Sequence, residues 1–296
     1  MSTTNAEPTG VVVGYDGSDA GARALRWAAE EAAARGIPVT VTHVWEFNFG
    51  ASLGMPIVDL RTVAQEILEE GVERLRDAAP GLEVRSDLER GSAAAKLIEL
   101  SGRAEMIVLG SRGLGGFAGL VLGSVSAQVA AHAGCPVVVL RGEPDAGAGE
   151  ERGRVVVGVD GSAAARAALE MAFTEAEVHR VPLTAIVAWS PSPQVALPPL
   201  VDQNELGELA ETRLARLLAP LRERHPEVGD VRTRVVTGVP HEVLLEASPG
   251  ARLLVVGSRG LGGIRGLMLG SVSHALLHNA DCPVAVVHGP EEPAGS

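Results

Sequence analysis

GSRGLGGFAGLVLGSVS, Gly110–Ser126, returns as GSRGLGGIRGLMLGSVS, Gly257–Ser273, with fourteen of seventeen positions identical and an offset of 147 residues. Each copy follows a short apolar run, MIVLG or LLVVG, and opens a stretch of helical spacing that ends at Cys135-Pro136 or Cys282-Pro283 and a further apolar run. A strand, a glycine-rich turn, a helix and a strand in that order make a late crossover of a parallel α/β sheet. Finding the unit twice points to a duplicated domain.

The match extends upstream. VVVGYDGS, Val11–Ser18, pairs with VVVGVDGS, Val155–Ser162, and THVW, Thr42–Trp45, pairs with IVAW, Ile186–Trp189, both at an offset of 144. From Gly91 against Gly238 the offset is 147, so the second copy gains three residues between its second and fourth strands. The proline-rich SPSPQVALPPLVDQ after Trp189, against EFNFGASLGMPIVDL in the first copy, is the natural place for them. EPDAGAGEERG, polar and glycine-bearing, reads as a linker over 143–153 between domains at 9–142 and 154–289.

Inside each copy, Val-rich runs alternate with helical periods. Strands are expected at GVVVGYD, VTVTHVWE, LEVRSDLE, AEMIVLG and PVVVLRG, and at RVVVGVD, PLTAIVAW, VRTRVVT, ARLLVVG and PVAVVHG. Near-continuous apolar runs mean strands covered on both faces; the third strand alternates and belongs at an edge. Ser18 and Ser162 are positioned as helix N-caps and Gly36 as a C-terminal stop, with Leu25, Ala28, Ala29 and Ala32, and Leu169, Ala172 and Phe173, on the inner faces. The fold class is therefore α/β, two tandem doubly wound, Rossmann-like domains, each with five parallel strands in the order 3-2-1-4-5.

The formal charge of −12 argues against nucleic acid and against an anionic membrane surface as partners. MSTTNAEPTG carries neither the basic nor the apolar segment of a secretory signal, and no run of 18 apolar residues appears, so a cytoplasmic location is expected. Cys135 and Cys282 occupy matched places in the two copies and read as two buried thiols in a reducing compartment rather than as one disulfide.

In an open parallel sheet of this order, ligands bind beyond the carboxyl ends of strands one and four, where the winding reverses. The stretches most alike between the copies, DGS and GSRGLGG…GS, fall at those two strand ends. Glycine permits positive φ and close backbone approach, and a helix beginning near Gly123-Ser124 presents free N–H groups to an anion. Ser124 and Ser126 add hydroxyls, and Asp16 across the gap offers a carboxylate to ribose hydroxyls or an exocyclic amine. Asp160, Gly257, Gly260, Gly270, Ser271 and Ser273 repeat the set. The loop lacks the Walker lysine and is not the dinucleotide fingerprint, which follows a first strand. A tight turn with no ligand is the competing reading. Arg112 and Arg259, inside the loops, either approach a phosphate or face solvent.

The spacing Gly110-x2-Gly113-x9-Gly123-Ser124 after a strand and before a helix, with the first-strand GYDGS and the terminal GCPVVVLR, resembles the ATP-binding subgroup of the universal stress protein family in tandem-domain form. The resemblance spans both copies. It implies a UspA-like fold with ATP in each cleft, two per chain, with Mg or Mn able to bridge the phosphates. It places adenine and ribose contacts on Asp16 and Val44, and ribose and phosphate contacts on Gly110, Gly113, Gly123, Ser124, Val125 and Ser126. In the second copy the contacts fall on Asp160, Ala188, Gly257, Gly260, Gly270, Ser271, Val272 and Ser273. It also implies pairing of the two copies through their fifth strands, with room for a homodimer of chains. The exposed-edge argument supports the strand pairing alone.

Signatures of chemistry are sparse: there is no G-x-S-x-G elbow and no HExxH. His274 and His278 stand at i, i+4 and read as a helix surface, because the first copy has Ala127 and Ala131 there. His43 and His132 read as a strand interior and a helix end. No catalytic residue is assigned. Three functions stay open: a nucleotide-dependent stress-response regulator, a slow ATPase or other nucleotide-hydrolysing enzyme, and a ligand-free scaffold. The doubled motif favours the first two over the third, and the missing catalytic cluster favours the first over the second.

Overall fold

The structure, a computed structural model, describes residues 10–46, 60–114, 121–142, 149–189, 203–261 and 268–290. The two connections after the second strands, the middle of each glycine-rich stretch and part of the expected linker, 143–148, lie outside the described residues. The first unit runs β1 (Val11–Gly14), α1 (Asp19–Arg35), β2 (Val39–Trp45), α2 (Leu60–Ala78), β3 (Val84–Arg90), α3 (Ala93–Ser101), β4 (Met106–Gly110), α4 (Ser124–His132) and β5 (Val137–Leu140). The second repeats it as β6 (Val155–Gly158), α5 (Ala163–His179), β7 (Leu183–Trp189), α6 (Gln203–Arg224), β8 (Val231–Thr237), α7 (Pro240–Glu246), β9 (Leu253–Gly257), α8 (Ser271–Asn279) and β10 (Val284–Val287). The chain divides into units Met1–Leu140 and Arg141–Ser296.

Within the first unit the strands lie in the order β3-β2-β1-β4-β5, all parallel. Within the second the order is β8-β7-β6-β9-β10, again parallel. This is the doubly wound 3-2-1-4-5 arrangement expected from the sequence. Val11, Val12 and Val13 on β1, and Val155, Val156 and Val157 on β6, are fully buried, as strands with helices on both faces must be. β3 lies at the far edge and is only half-buried along its length.

The helix signals act as expected. The Ser18 side chain accepts from the Gly21 amide to open α1, and Gly36 closes it in the left-handed region at φ 65°. The Ser162 side chain accepts from the Ala165 amide to open α5, which ends instead on Arg180, the one non-glycine residue with positive φ among those described. The inner-face residues read from the sequence, Leu25, Ala28, Ala29, Ala32, Leu169, Ala172 and Phe173, are all buried.

The second unit also holds a buried ionic network that the sequence did not announce. Arg154, 4% exposed, sends Nε to Thr184 Oγ1 at 2.7 Å, Nη1 to Asp230 Oδ2 at 2.6 Å and Nη2 to the Leu183 carbonyl at 2.6 Å. Thr184 Oγ1 donates to Glu151 Oε2 at 2.6 Å, and Arg234 Nη1 reaches Glu151 Oε1 at 2.9 Å. The Arg154 hydrogen bond holds the Asp230 carboxyl below its usual range. At the matching place in the first unit stands Gly10, at φ 63°. Replacing Arg154 by Ala would take from Glu151, itself 2% exposed, one of its cations and leave it paired with Arg234 alone. Removing one partner of a buried pair costs about 3–5 kcal/mol. The Arg154→Ala chain is expected to lose stability on that scale in urea unfolding, with the loss confined to the second unit's transition where the units unfold separately.

Candidate functional site

The site is best followed from the acidic residue just after each first strand. Asp16 Oδ1 accepts from the Ser18 amide at 3.1 Å, closing a turn, and Oδ2 accepts from the Leu114 amide at 2.9 Å, across the reversal point. The second unit reproduces both contacts: Asp160 Oδ1 with the Ser162 amide and Oδ2 with the Leu261 amide, each at 2.9 Å. The acids therefore face the gap and tie its two sides together. Gly17 and Gly161, beside them, supply the positive φ, 85° and 87°, that each turn requires.

Of the two uses that glycine permits, positive φ and close backbone approach, Gly110, Gly113, Gly123 and their counterparts do not make the first. Their need is steric instead. A Cβ at Gly113 would overlap Asp16 Oδ2, and one at Gly110 would lie 2.8 Å from the Ala20 carbonyl oxygen. Gly260 stands to Asp160 as Gly113 does to Asp16. Gly123 and Gly270 differ: the nearest atoms to a Cβ there are 3.5 Å away, an ordinary contact. Packing leaves those two positions room for a side chain, so it does not account for their glycines.

Each loop is pinched at its base. The Gly123 amide donates to the Ser111 carbonyl at 2.7 Å, and the Gly270 amide to the Ser258 carbonyl at 2.8 Å. The pinch delivers the chain to α4 and α8, and both helices begin without a side-chain cap, whereas α1, α3 and α5 each start on a serine hydroxyl that takes one first-turn amide. The amides of Ser124, Val125 and Ser126, and of Ser271, Val272 and Ser273, thus present the positive end of a helix to the gap. The hydroxyls divide in role. Ser126 and Ser273 are buried and donate inward, to the carbonyls of Gly110 at 2.8 Å and Ser258 at 2.9 Å, so they brace the loop and offer the gap their amides. Ser124 and Ser271 are exposed.

In the second unit the gap is a cavity of about 370 Å³, within the range of small-ligand sites. All eight residues picked from the sequence of the second copy line it: Asp160, Ala188, Gly257, Gly260, Gly270, Ser271, Val272 and Ser273. Sequence reasoning missed its apolar wall, Ile186, Pro240, Leu244 and Val256, and left Arg259 open; Arg259 lines the cavity too. The alignment alone identifies the corresponding wall of the first unit as Thr42, Ala93 and Leu97. There Thr42 replaces Ile186, and its Oγ1 is buried without a hydrogen-bond partner among the described residues. Val44, at the penultimate position of β2, is half-buried, as is Asp16, and Arg112 is exposed.

The histidines and cysteines stand apart from this chemistry. The His43 ring holds the Tyr15 carbonyl through Nδ1 at 2.8 Å, and the His132 ring meets the Gln128 carbonyl one turn back at 2.9 Å. The His274 and His278 rings stack at 4.2 Å between centroids on α8. Cys135 and Cys282 are free and buried, and burial pushes both thiols up to about 12.

Comparison with known proteins settles the kinship. The model of the universal stress protein family matches residues 9–141 and again 151–288. This chain belongs to the universal stress protein family. Among relatives, universal stress protein Rv2005c of Mycobacterium tuberculosis is 40% identical over 285 residues, covering 94% of this chain and 96% of that one. Rv2623 of the same organism, also a universal stress protein, is 36% identical over 296 residues, covering 97% and 98%. Among solved structures, a universal stress protein from Archaeoglobus fulgidus superposes with a TM-score of 0.69 at 22% identity, covering 97% of this chain and 98% of that one, and so shares the fold. Among the described residues no helix is long and apolar enough to cross a membrane.

Raised thiol pKa values keep the neutral, unreactive form at ordinary pH. Iodoacetamide at pH 8 is expected to leave Cys135 and Cys282 unlabelled in the native chain and to label both in urea, as read by intact mass. Rapid native labelling of either would contradict its placement.

Proposed function

We propose that the chain is an ATP-binding regulator of the stress response, with one nucleotide site in each domain. The observation that carries the reading is the convergence, in one cavity, of an uncapped helix start, an exposed serine hydroxyl and a carboxylate held across the gap. A phosphate chain takes its place at the helix start, where amides and dipole favour negative charge without any lysine. The Ser124 and Ser271 hydroxyls are the oxygen donors that Mg or Mn bridging the phosphates would take. The carboxylate oxygens of Asp16 and Asp160 each receive one amide and keep lone pairs for a ribose hydroxyl or an exocyclic amine. Val44 and Ala188 flank the base, with Ile186, Pro240 and Leu244 as its apolar wall in the second domain.

The remainder of the proposal concerns setting. The domains are taken as 9–142 and 154–289 with a linker at 143–153, the location as cytoplasmic, and the partner as adenine nucleotide, with neither nucleic acid nor membrane, in keeping with the net charge of −12. Pairing of the copies through β5 and β10, and a homodimer of chains, belong to the same reading. Sedimentation with and without nucleotide tests the assembly.

Calorimetric titration of nucleotide-free chain with ATP and Mg is expected to saturate at two per chain. Gly123→Val and Gly270→Val should each remove one equivalent. The unfolding midpoint should change little, because a first side-chain carbon fits at both positions. Binding that ignores both substitutions would remove the site assignment. Acid release after prolonged incubation separates the regulator from the slow ATPase: intact ATP supports the first, and accumulation of ADP the second.

A further inference from the structure

The two units share a backbone plan but differ in what lies behind the acidic residue. In the second unit a separate cavity of about 570 Å³ opens between α6 and the ends of β6 and β7. Its apolar walls are Val159, Val187, Trp189, Leu209, Leu214 and Leu217, and the guanidinium-bearing Arg213 and Arg216 stand on its rim. Val159 and Asp160 belong to this cavity and to the cleft described above, so the two are adjoining rooms with a common wall.

The first unit has this space closed. Leu68, Val72 and Leu75 of α2 match the buried Leu214, Leu218 and Leu221 of α6 at one constant offset. The same offset sets Ile67 against Arg213, Glu70 against Arg216 and Gly71 against Leu217. In the first unit Tyr15, 3% exposed, stands where Val159 is and fills the room, lying so close to Gly71 that a Cβ there would be 2.6 Å from the ring. Ile67 and Leu114 come within 4 Å of a Cβ built on Gly17, whereas nothing comes within 4 Å of one built on Gly161. Glu70 lies beside the Tyr15 phenol and pairs with Arg74 at 2.7 Å. In the second unit two of these positions, Arg213 and Arg216, are basic where the first unit has the apolar Ile67 and the acidic Glu70, and Val159 replaces the plug.

Trp45 and Trp189 differ in the same sense. The Arg90 guanidinium lies over the Trp45 ring at 5.7 Å, while the strand partner of Trp189 is Thr237. The Trp189 ring lines the cavity. Arg213 and Arg216 are exposed, one helical turn apart on α6, and no ion pair joins either to another residue among those described. An apolar room of this size with two guanidinia at its mouth, neither ion-paired among the described residues, matches an apolar body that ends in a carboxylate, since arginine pairs with carboxylates through parallel N–H bonds.

We infer that the second domain holds a further binding site, distinct from the nucleotide cleft, for a medium-chain amphipathic carboxylate, one per chain. The apolar tail occupies the room between Trp189 and Leu217, and the carboxylate sits between Arg213 and Arg216. The site stands independently of the nucleotide reading, because its residues other than Val159 and Asp160 lie outside the cleft.

Decanoate is the probe, with decanol as its uncharged counterpart, titrated calorimetrically into the full chain without nucleotide. Decanoate is expected to saturate at one per chain and to bind at least tenfold more tightly than decanol. Arg213→Ala with Arg216→Ala should weaken decanoate tenfold or more and leave decanol unchanged. Val159→Tyr with Leu217→Gly rebuilds the first unit's plug and should abolish uptake of both; Ala210→Trp, on the same wall, blocks the room by a single change if the pair lowers the unfolding midpoint. Absence of saturable decanoate uptake would overturn the inference. So would uptake at two per chain, or undiminished uptake by a plugged variant with the wild-type midpoint. ATP titration of the same samples reports the nucleotide site separately, so loss of one reading leaves the other standing.

Discussion

One carboxylate per domain holds the architecture of the mouth. Asp16 and Asp160 each receive two backbone amides, one from their own turn and one from the glycine-rich loop about a hundred residues later. Hydrogen bonds to a charged group contribute about 1.5–3 kcal/mol each, enough to oppose the entropy of a loop that would otherwise wander from the sheet. The arrangement demands the loop's second described glycine, since any side chain at Gly113 or Gly260 collides with the acid. It also sets where α4 and α8 begin, through the pinch between Ser111 and Gly123 or Ser258 and Gly270. That pinch sets the first turns of α4 and α8, whose amides take no side-chain cap, beside the loop that the acid holds.

The parts of the fold legible in the sequence were those with local causes. Val-rich runs flanked by Gly and Asp gave strands, and serines three residues ahead of an amide gave the caps found at Ser18 and Ser162. The sheet order followed from short right-handed crossovers. Site residues were legible for a related reason: repetition marked the two strand ends, and in the second unit those residues line a single cavity. Which glycines take positive φ was not legible, because a glycine's letter does not say whether it is needed for its dihedral or for its missing Cβ. Gly17 needs the first, and Gly113 the second.

What escaped the sequence depends on partners distant in the chain. Arg154 reads as the first residue of an expected strand until Thr184 and Asp230 are seen to enclose it. Tyr15 reads as one more apolar residue after a strand. Only the position of Gly71 beneath its ring shows that the pair fills a room, and only the alignment of α2 with α6 shows that Val159 and Leu217 leave the same room open. Burial and neighbouring Glu70 push the Tyr15 phenol up, so the plug remains a neutral hydrogen-bond donor, suited to a packed interior.

Duplication explains why such drift is tolerated. The clamp is made of main-chain amides and one acid, so it places few demands on the residues around it, and both copies retain it with contact lengths between 2.9 and 3.1 Å. Side chains behind the acid are free to change as long as the backbone path stays the same. In the first unit they have settled as Tyr15 over Gly71, a packed and anionic-flanked wall. In the second they have become Val159, Leu217, Arg213 and Arg216, an open and cationic one. Asp160 lines both cavities of the second unit, so on the readings proposed above a molecule in the outer room and one in the cleft would have it as a common neighbour. Any difference in how that carboxylate is held, with the outer room full or empty, is by linkage a difference in affinity for the cleft. In the first unit Tyr15 packs against Gly71 behind the acid, in the place that the second unit leaves open.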